Sequence, residues 1–139
     1  MGNIDKHYTR QLIAIDGTAP CRDAARLMLE RRIGAVAVRD RGKVVGLISE
    51  RDMVACTLEK QPQNDQPVLR WVKRNLPTVK PTASEVECSR LMRDHNARHL
   101  LVEDSGQVVG IISMRDVIRL MLDEKEYLID QLQSYIARG

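Results

Sequence analysis

Asp40-Arg-Gly-Lys-Val-Val-Gly-Leu-Ile-Ser-Glu-Arg-Asp52 recurs 64 residues later as Asp104-Ser-Gly-Gln-Val-Val-Gly-Ile-Ile-Ser-Met-Arg-Asp116. Carrying that register outward pairs residues 15–54 with residues 79–118 without a gap, and 15 of these 40 pairs are identical. Agreement of that density in one register is duplication, so the chain is one unit used twice.

Each copy has the same local pattern. Ala24, Leu27 and Met28 stand at i, i+3, i+4, as do Cys88, Leu91 and Met92, which predicts amphipathic helices over 22–32 and 86–96. An apolar run follows, Ala35 to Val38 or His99 to Val102. A turn centred on Asp40-Arg-Gly42 or Asp104-Ser-Gly106 joins it to Val44–Ile48 or Val108–Ile112, which is the pattern of a β-hairpin. A second helix starts from Ser49 or Ser113, carrying Met53, Val54 and Leu58 or Val117, Ile118, Met121 and Leu122. Short extended pieces, Leu12–Ile15 and Thr78–Val79, precede the first helices. The predicted unit is β-α-β-β-α, and the fold class is α/β of the α+β type.

The organisation that follows is a first repeat over 12–60, a linker over 61–70, a second repeat over 71–122 and a C-terminal helix over 123–139. Gln61 to Pro67 is polar with two prolines and reads as surface linker, and Trp71-Val-Lys-Arg-Asn begins the approach to the second unit. In the tail, Leu128, Leu132 and Tyr135 lie at i, i+4, i+7 with Ile129 and Ile136 alongside, a further amphipathic helix whose apolar face needs a partner.

Composition narrows the function classes. The 139 residues are 43% hydrophobic and 29% charged, enough apolar mass for a core. Phe is absent and Trp71, Tyr8, Tyr127 and Tyr135 are the only aromatics, so platforms for stacking bases are scarce. The net charge of +3 favours anionic small molecules somewhat. The cations Arg26, Arg31, Arg32, Arg39, Arg41 and Lys43 are balanced by Asp23, Glu30 and Asp40, a solvated face and not a nucleic-acid surface. Cys21, Cys56 and Cys88 are widely spaced within apolar helical patterns and read as reduced packing residues. No apolar run has the length of a signal peptide or membrane span, so the expectation is a cytoplasmic protein without a membrane partner. His95 and His99 are four apart but fall at a helix end and a strand start, so no metal site is expected. No nucleophile-base arrangement or phosphate-loop consensus is present, and no enzyme activity or catalytic cofactor is expected.

The chemistry-bearing motif is Gly-x-x-Ser-x-x-Asp, at Gly46 to Asp52 and Gly110 to Asp116. Ser three residues before an acid at a helix start is a capping-box pattern, which alone accounts for both residues. The same motif also sits where a strand gives way to a helix N-terminus, a place suited to an anion, where Asp accepts bonds from the vicinal hydroxyls of a ribose. Arg51 and Arg115, within the motif, have the fork geometry for phosphate, or are solvated surface charges.

From Leu12 to Leu122 the chain resembles tandem cystathionine-β-synthase (CBS) domains, the paired units called Bateman modules. The resemblance rests on the element order, the hydrophobic-Asp-x-Gly-x-Val-Val-Gly core and the two Ser-x-x-Asp ends. The tail is similar to that of small stand-alone bacterial CBS-pair proteins. The resemblance implies two repeats packed about a pseudo-twofold axis with two clefts between them, each taking an adenosine ligand such as AMP, ADP, ATP or NAD(H). One cleft would use Ser113, Arg115 and Asp116 with Thr18, Gly34 and Ala35. The other would use Ser49, Arg51 and Asp52 with Thr82, Arg98 and His99. Gly34-Ala35 is small and neutral where Arg98-His99 is cationic, so the clefts are expected to differ, with phosphate toward Arg98. Family members commonly carry proline where this chain has Ala37 and Leu101. The resemblance further implies a regulatory role with an unidentified protein partner and pairing into a homodimer. A dimeric scaffold that ignores ligands is the alternative expectation.

Overall fold

A computed structural model describes residues 2–59 and 66–138. The first repeat comprises β1 (Ala14–Asp16), α1 (Cys21–Arg31), β2 (Ala35–Asp40), β3 (Lys43–Ser49) and α2 (Glu50–Thr57). The second comprises α3 (Glu85–Asp94), β4 (His99–Asp104), β5 (Gln107–Ser113) and α4 (Met114–Arg138). β1 runs parallel to β2 and β2 antiparallel to β3. In the second sheet the β1 role shrinks to one parallel bridge, Val79 to Val102, which is the counterpart of Ile15 to Val38.

The duplication is kept at backbone level. Ala35 pairs with Ser49 as His99 pairs with Ser113, and both hairpins bulge at the same place, Val38/Arg39 and Val102/Glu103. Both turns hold two residues at positive φ, Arg41 (53°) with Gly42 (81°) and Ser105 (53°) with Gly106 (81°), the pattern of a type I′ turn. A Cβ on either glycine would meet nothing within 4 Å, so glycine is required there by dihedral angle and not by space.

The leading segments cross over between repeats. Ile4, fully buried, and Tyr8 pack into the second repeat's core with Met92, Leu100 and Val117. Val68, also fully buried, packs with Trp71 and Val72 into the first repeat's core with Met28, Val36 and Ile48. Trp71, expected at the approach to the second unit, thus packs its side chain against the first repeat's core. Residues 61–65 of the linker expected over 61–70 lie outside the described residues, whereas Val68–Arg70, expected as linker, forms a 3-10 turn. Thr9 bridges Ile111, and Lys73 bridges Leu47 with paired backbone hydrogen bonds of 2.9 and 3.2 Å. A Cβ on Gly110 would collide with the Thr9 carbonyl, and one on Gly46 with the Lys73 carbonyl, so the motif glycine is what lets each crossing segment lie on its strand.

A third cluster, Ala35, Ala37, Leu47 and Leu101 with Leu12, Leu76 and Ile111 around it, joins the two sheets. Ala37 N–H donates to Ile13 O at 2.9 Å, a bond that proline there would forfeit.

The C-terminal helix is present but not separate. No Pro or Gly interrupts Asp123-Glu-Lys125, and the repeat's last helix runs on for 25 residues to Arg138, roughly 37 Å at about 1.5 Å per residue. Val117 and Leu120 anchor it in the core. Gly2 N–H donates to Glu124 Oε1 (2.7 Å) and His7 Nε2 meets Asp123 Oδ2 (3.1 Å), which ties the N-terminal segment to it. Beyond that point Leu128, Leu132, Tyr135 and Ile136 are 60–79% exposed. The three cysteines are free. Burial raises the Cys21 thiol to about 12, with Cys56 beside it adding to the rise, and raises Cys88 to about 11.

Candidate functional site

Each Ser-x-x-Asp ends a hairpin and starts a helix whose first N–H is anchored to the segment before the neighbouring strand. Glu50 N–H donates to Gly34 O (3.0 Å) and Met114 N–H to Arg98 O (2.8 Å). Both aspartates cap. Ser49 N–H and Oγ–H donate to Asp52 Oδ2 at 2.8 and 3.0 Å, and Ser113 N–H and Oγ–H donate to Asp116 Oδ2, both at 2.8 Å. Asp116 N–H donates back to Ser113 Oγ at 3.1 Å. The capping geometry is thus real, but it uses only one carboxylate oxygen of each pair.

Two cavities flank the seam between the repeats. Their linings correspond through the 64-residue register, as in Ser49 and Ser113, Arg51 and Arg115, Leu47 and Ile111, Lys73 and Thr9. The cavity at Ser113, Arg115 and Asp116 measures about 700 Å³, within the usual range for a small-molecule site. Gly34 and Ala35 form its opposite wall, Ile13, Ile33, Ile111 and Ile118 supply apolar surface, and Arg32 and Arg98 add cations. The cavity at Ser49 and Arg51 measures about 40 Å³, far below the usual range for a small-molecule site.

The structure brings Gly34, Ala35, Ser113, Arg115 and Asp116 together around the large cavity, and Arg98 and His99 line both cavities instead of only the small one. Ser49 and Arg51 line the small cavity, but Asp52 does not. Its Oδ1 faces Lys73 Nζ at 3.8 Å, and Arg51 donates across to Asn96 O at 3.4 Å. Thr18 and Thr82 line neither cavity. Thr18 donates N–H and Oγ–H to Asp16 Oδ1 (2.9 and 2.7 Å), and these bonds hold the Asp16 carboxyl below the usual carboxylate range. Polar lining residues not anticipated from sequence include Thr9, Arg32, Glu50 and Lys73. For Thr9 and Lys73 the available signal was the 64-residue register itself, which pairs them outside the quoted repeat.

His99 sits on the partition between the cavities, its ring 3.1 Å from where a Gly34 Cβ would stand. Burial lowers its pKa below the usual 6.5, and Arg98 adds to this, while Glu50 and Asp116 pull the other way. His95 is exposed at the end of α3, with Nδ1 against Leu91 O, so the two histidines do not converge. Among the described residues no group of three or more His, Cys, Asp or Glu side chains is placed to hold a metal ion, and no helix is long and apolar enough to cross a membrane.

The family model described as CBS domain matches residues 4–59 and 69–123. A CBS domain-containing protein of Bacillus subtilis, YhcV, is 26% identical over 117 residues, 84% of each chain. A putative signal-transduction protein with CBS domains from Burkholderia ambifaria is 30% identical at a TM-score of 0.77, covering 82% of this chain and 85% of that one. A CBS domain protein of Pyrobaculum aerophilum, solved in complex with AMP, is 27% identical at a TM-score of 0.72, covering 83% and 89%. With two family matches in phase with the internal repeat and the same architecture in solved relatives, this chain belongs to the CBS domain family, as a CBS pair.

Proposed function

We propose that the protein is a regulatory sensor that holds an adenosine-containing ligand in the large cavity between its repeats. The observation that carries the reading is the 700 Å³ cavity at a helix N-terminus, with Asp116 on one wall and small apolar residues on the other. Asp116 Oδ1 has no partner among the described residues and is suited to accept the ribose hydroxyls, while Oδ2 stays with the cap. Ile33, Ile111 and Ile118 suit the adenine, and Arg115, Arg98 and Arg32 suit phosphate, helped by the positive end of α4. The AMP complex of the Pyrobaculum protein supports the ligand class, and AMP, ADP, ATP and NAD(H) all fit the division of labour.

Because the cavity walls come from both repeats, a ligand that prefers one packing of the repeats shifts the population toward it and so alters an unidentified protein partner. The protein acts by binding and not by catalysis, which recovery of incubated ATP or NAD chemically unchanged would check. Isothermal calorimetry with the four ligands tests the reading. At least one binds below millimolar, and Asp116→Ala weakens it at least tenfold; no heat from any of them at millimolar concentration rejects it.

The exposed apolar face of α4 favours a homodimer as the working form, and it also keeps the scaffold reading in play. A dimer whose mass and melting temperature ignored every nucleotide would favour the scaffold.

A further inference from the structure

The two cavities are built from corresponding residues, yet differ from about 700 to about 40 Å³. Part of the difference lies in Arg98-His99 standing where the open side has Gly34-Ala35. The other part lies at the crossing segments. On the open side the crossing residue is Thr9, whose short side chain leaves Asp116 Oδ1 without a partner among the described residues. On the narrow side it is Lys73, held in the same backbone pairing, whose ammonium lies 3.8 Å from Asp52 Oδ1. Asp52 is 8% exposed, and Ser49 takes its other oxygen. The carboxylate that matches Asp116 therefore has one oxygen in the cap and the other facing a partly exposed ammonium of its own chain, and a ligand diol would have to displace that cation.

We infer that the protein has a single ligand site per chain, and that Lys73 is the tethered occupant of the second, closing it by pairing with Asp52. Lys73 is then a specificity determinant of the whole module: it sets how many ligands one chain reads. Asp52 remains a structural cap, and its second oxygen serves the connector between the repeats in place of a ribose. This inference rests on the nucleotide-binding reading above.

The test is stoichiometry by calorimetry on the full chain with AMP as probe. Wild type takes one AMP per chain. Lys73→Thr, which installs the residue found at the corresponding position 9, takes a second AMP more weakly, and the double variant Lys73→Thr/Asp52→Ala returns to one. Lys73→Ala serves as an independent opening variant, and an unchanged circular dichroism spectrum for each confirms folding. Two AMP per wild-type chain, or one per chain in both folded Lys73 variants, would overturn the plug while leaving nucleotide binding intact. Binding of no AMP by wild type or any variant would instead overturn both the sensor reading and the inference built on it.

Discussion

Asp52 and Asp116 occupy the same register position, make the same cap and differ in what reaches their second oxygen. The Ser-x-x-Asp motifs were legible in the sequence because capping is local, decided within four residues. Unequal clefts were expected from Gly34-Ala35 against Arg98-His99, but phosphate was expected on the Ser49-Arg51 side with Arg98-His99, which is the narrow cavity in the structure. The contrast of Lys73 with Thr9 was not legible, because those residues reach the cavities by crossing to the other repeat, a long-range arrangement that periodicity does not report. Thr18 and Thr82 fail to reach the cavities for a local reason in the first case: Thr18 closes a turn onto Asp16. His99 carries the pH prediction. Its folded pKa lies below its unfolded value near 6.5, so the folded state binds fewer protons. The stability tied to the neutral ring is complete above that value and is lost as pH falls from about 6.5 toward the folded pKa. Denaturation at pH 7.5 and 5.5 checks this. Wild type loses more stability on acidification than His99→Gln, whereas equal losses would place the effect elsewhere.

At the scale of elements, the hairpins were readable because Asp-x-Gly is a turn signal, and the structure lengthens the strands to Ala35–Asp40 with Lys43–Ser49 and His99–Asp104 with Gln107–Ser113, adds a bulge to each hairpin and puts Arg41 and Ser105 at positive φ beside the glycines. Helix α4 was read as two helices because the repeat ends at Leu122. No stop signal follows, and continuous helix satisfies the backbone groups that a break would strand. The consequence is a stripe of Leu128, Leu132, Tyr135 and Ile136 that the described residues leave largely exposed. Leu132→Glu is predicted to lower the mass seen by light scattering to that of one chain, with melting of the isolated chain nearly unchanged, since Leu132 is 61% exposed and makes no core. A mass unaffected by the charge would remove this face from the proposed dimer interface.

For the whole molecule, duplication was the strongest signal and fixes the strand pairing of both hairpins in one register. What duplication conceals is the exchange of leading segments. Ile4 and Tyr8 complete the second core, Val68 and Trp71 the first, and the third cluster around Ala37 and Leu101 closes the seam. Neither repeat's core is complete within its own sequence copy, so the pair forms as one body and its clefts answer to how the halves pack. The proposed sensor would use that coupling, because a ligand touching both Gly34 and Asp116 would bridge the two repeats. A crystal structure of the full chain grown with saturating AMP tests the central claim most directly. The account predicts AMP in the cavity between Gly34-Ala35 and Arg115, with its ribose hydroxyls on Asp116 Oδ1. AMP seated at Asp52 in place of Lys73, or an empty cavity at Asp116, would contradict it.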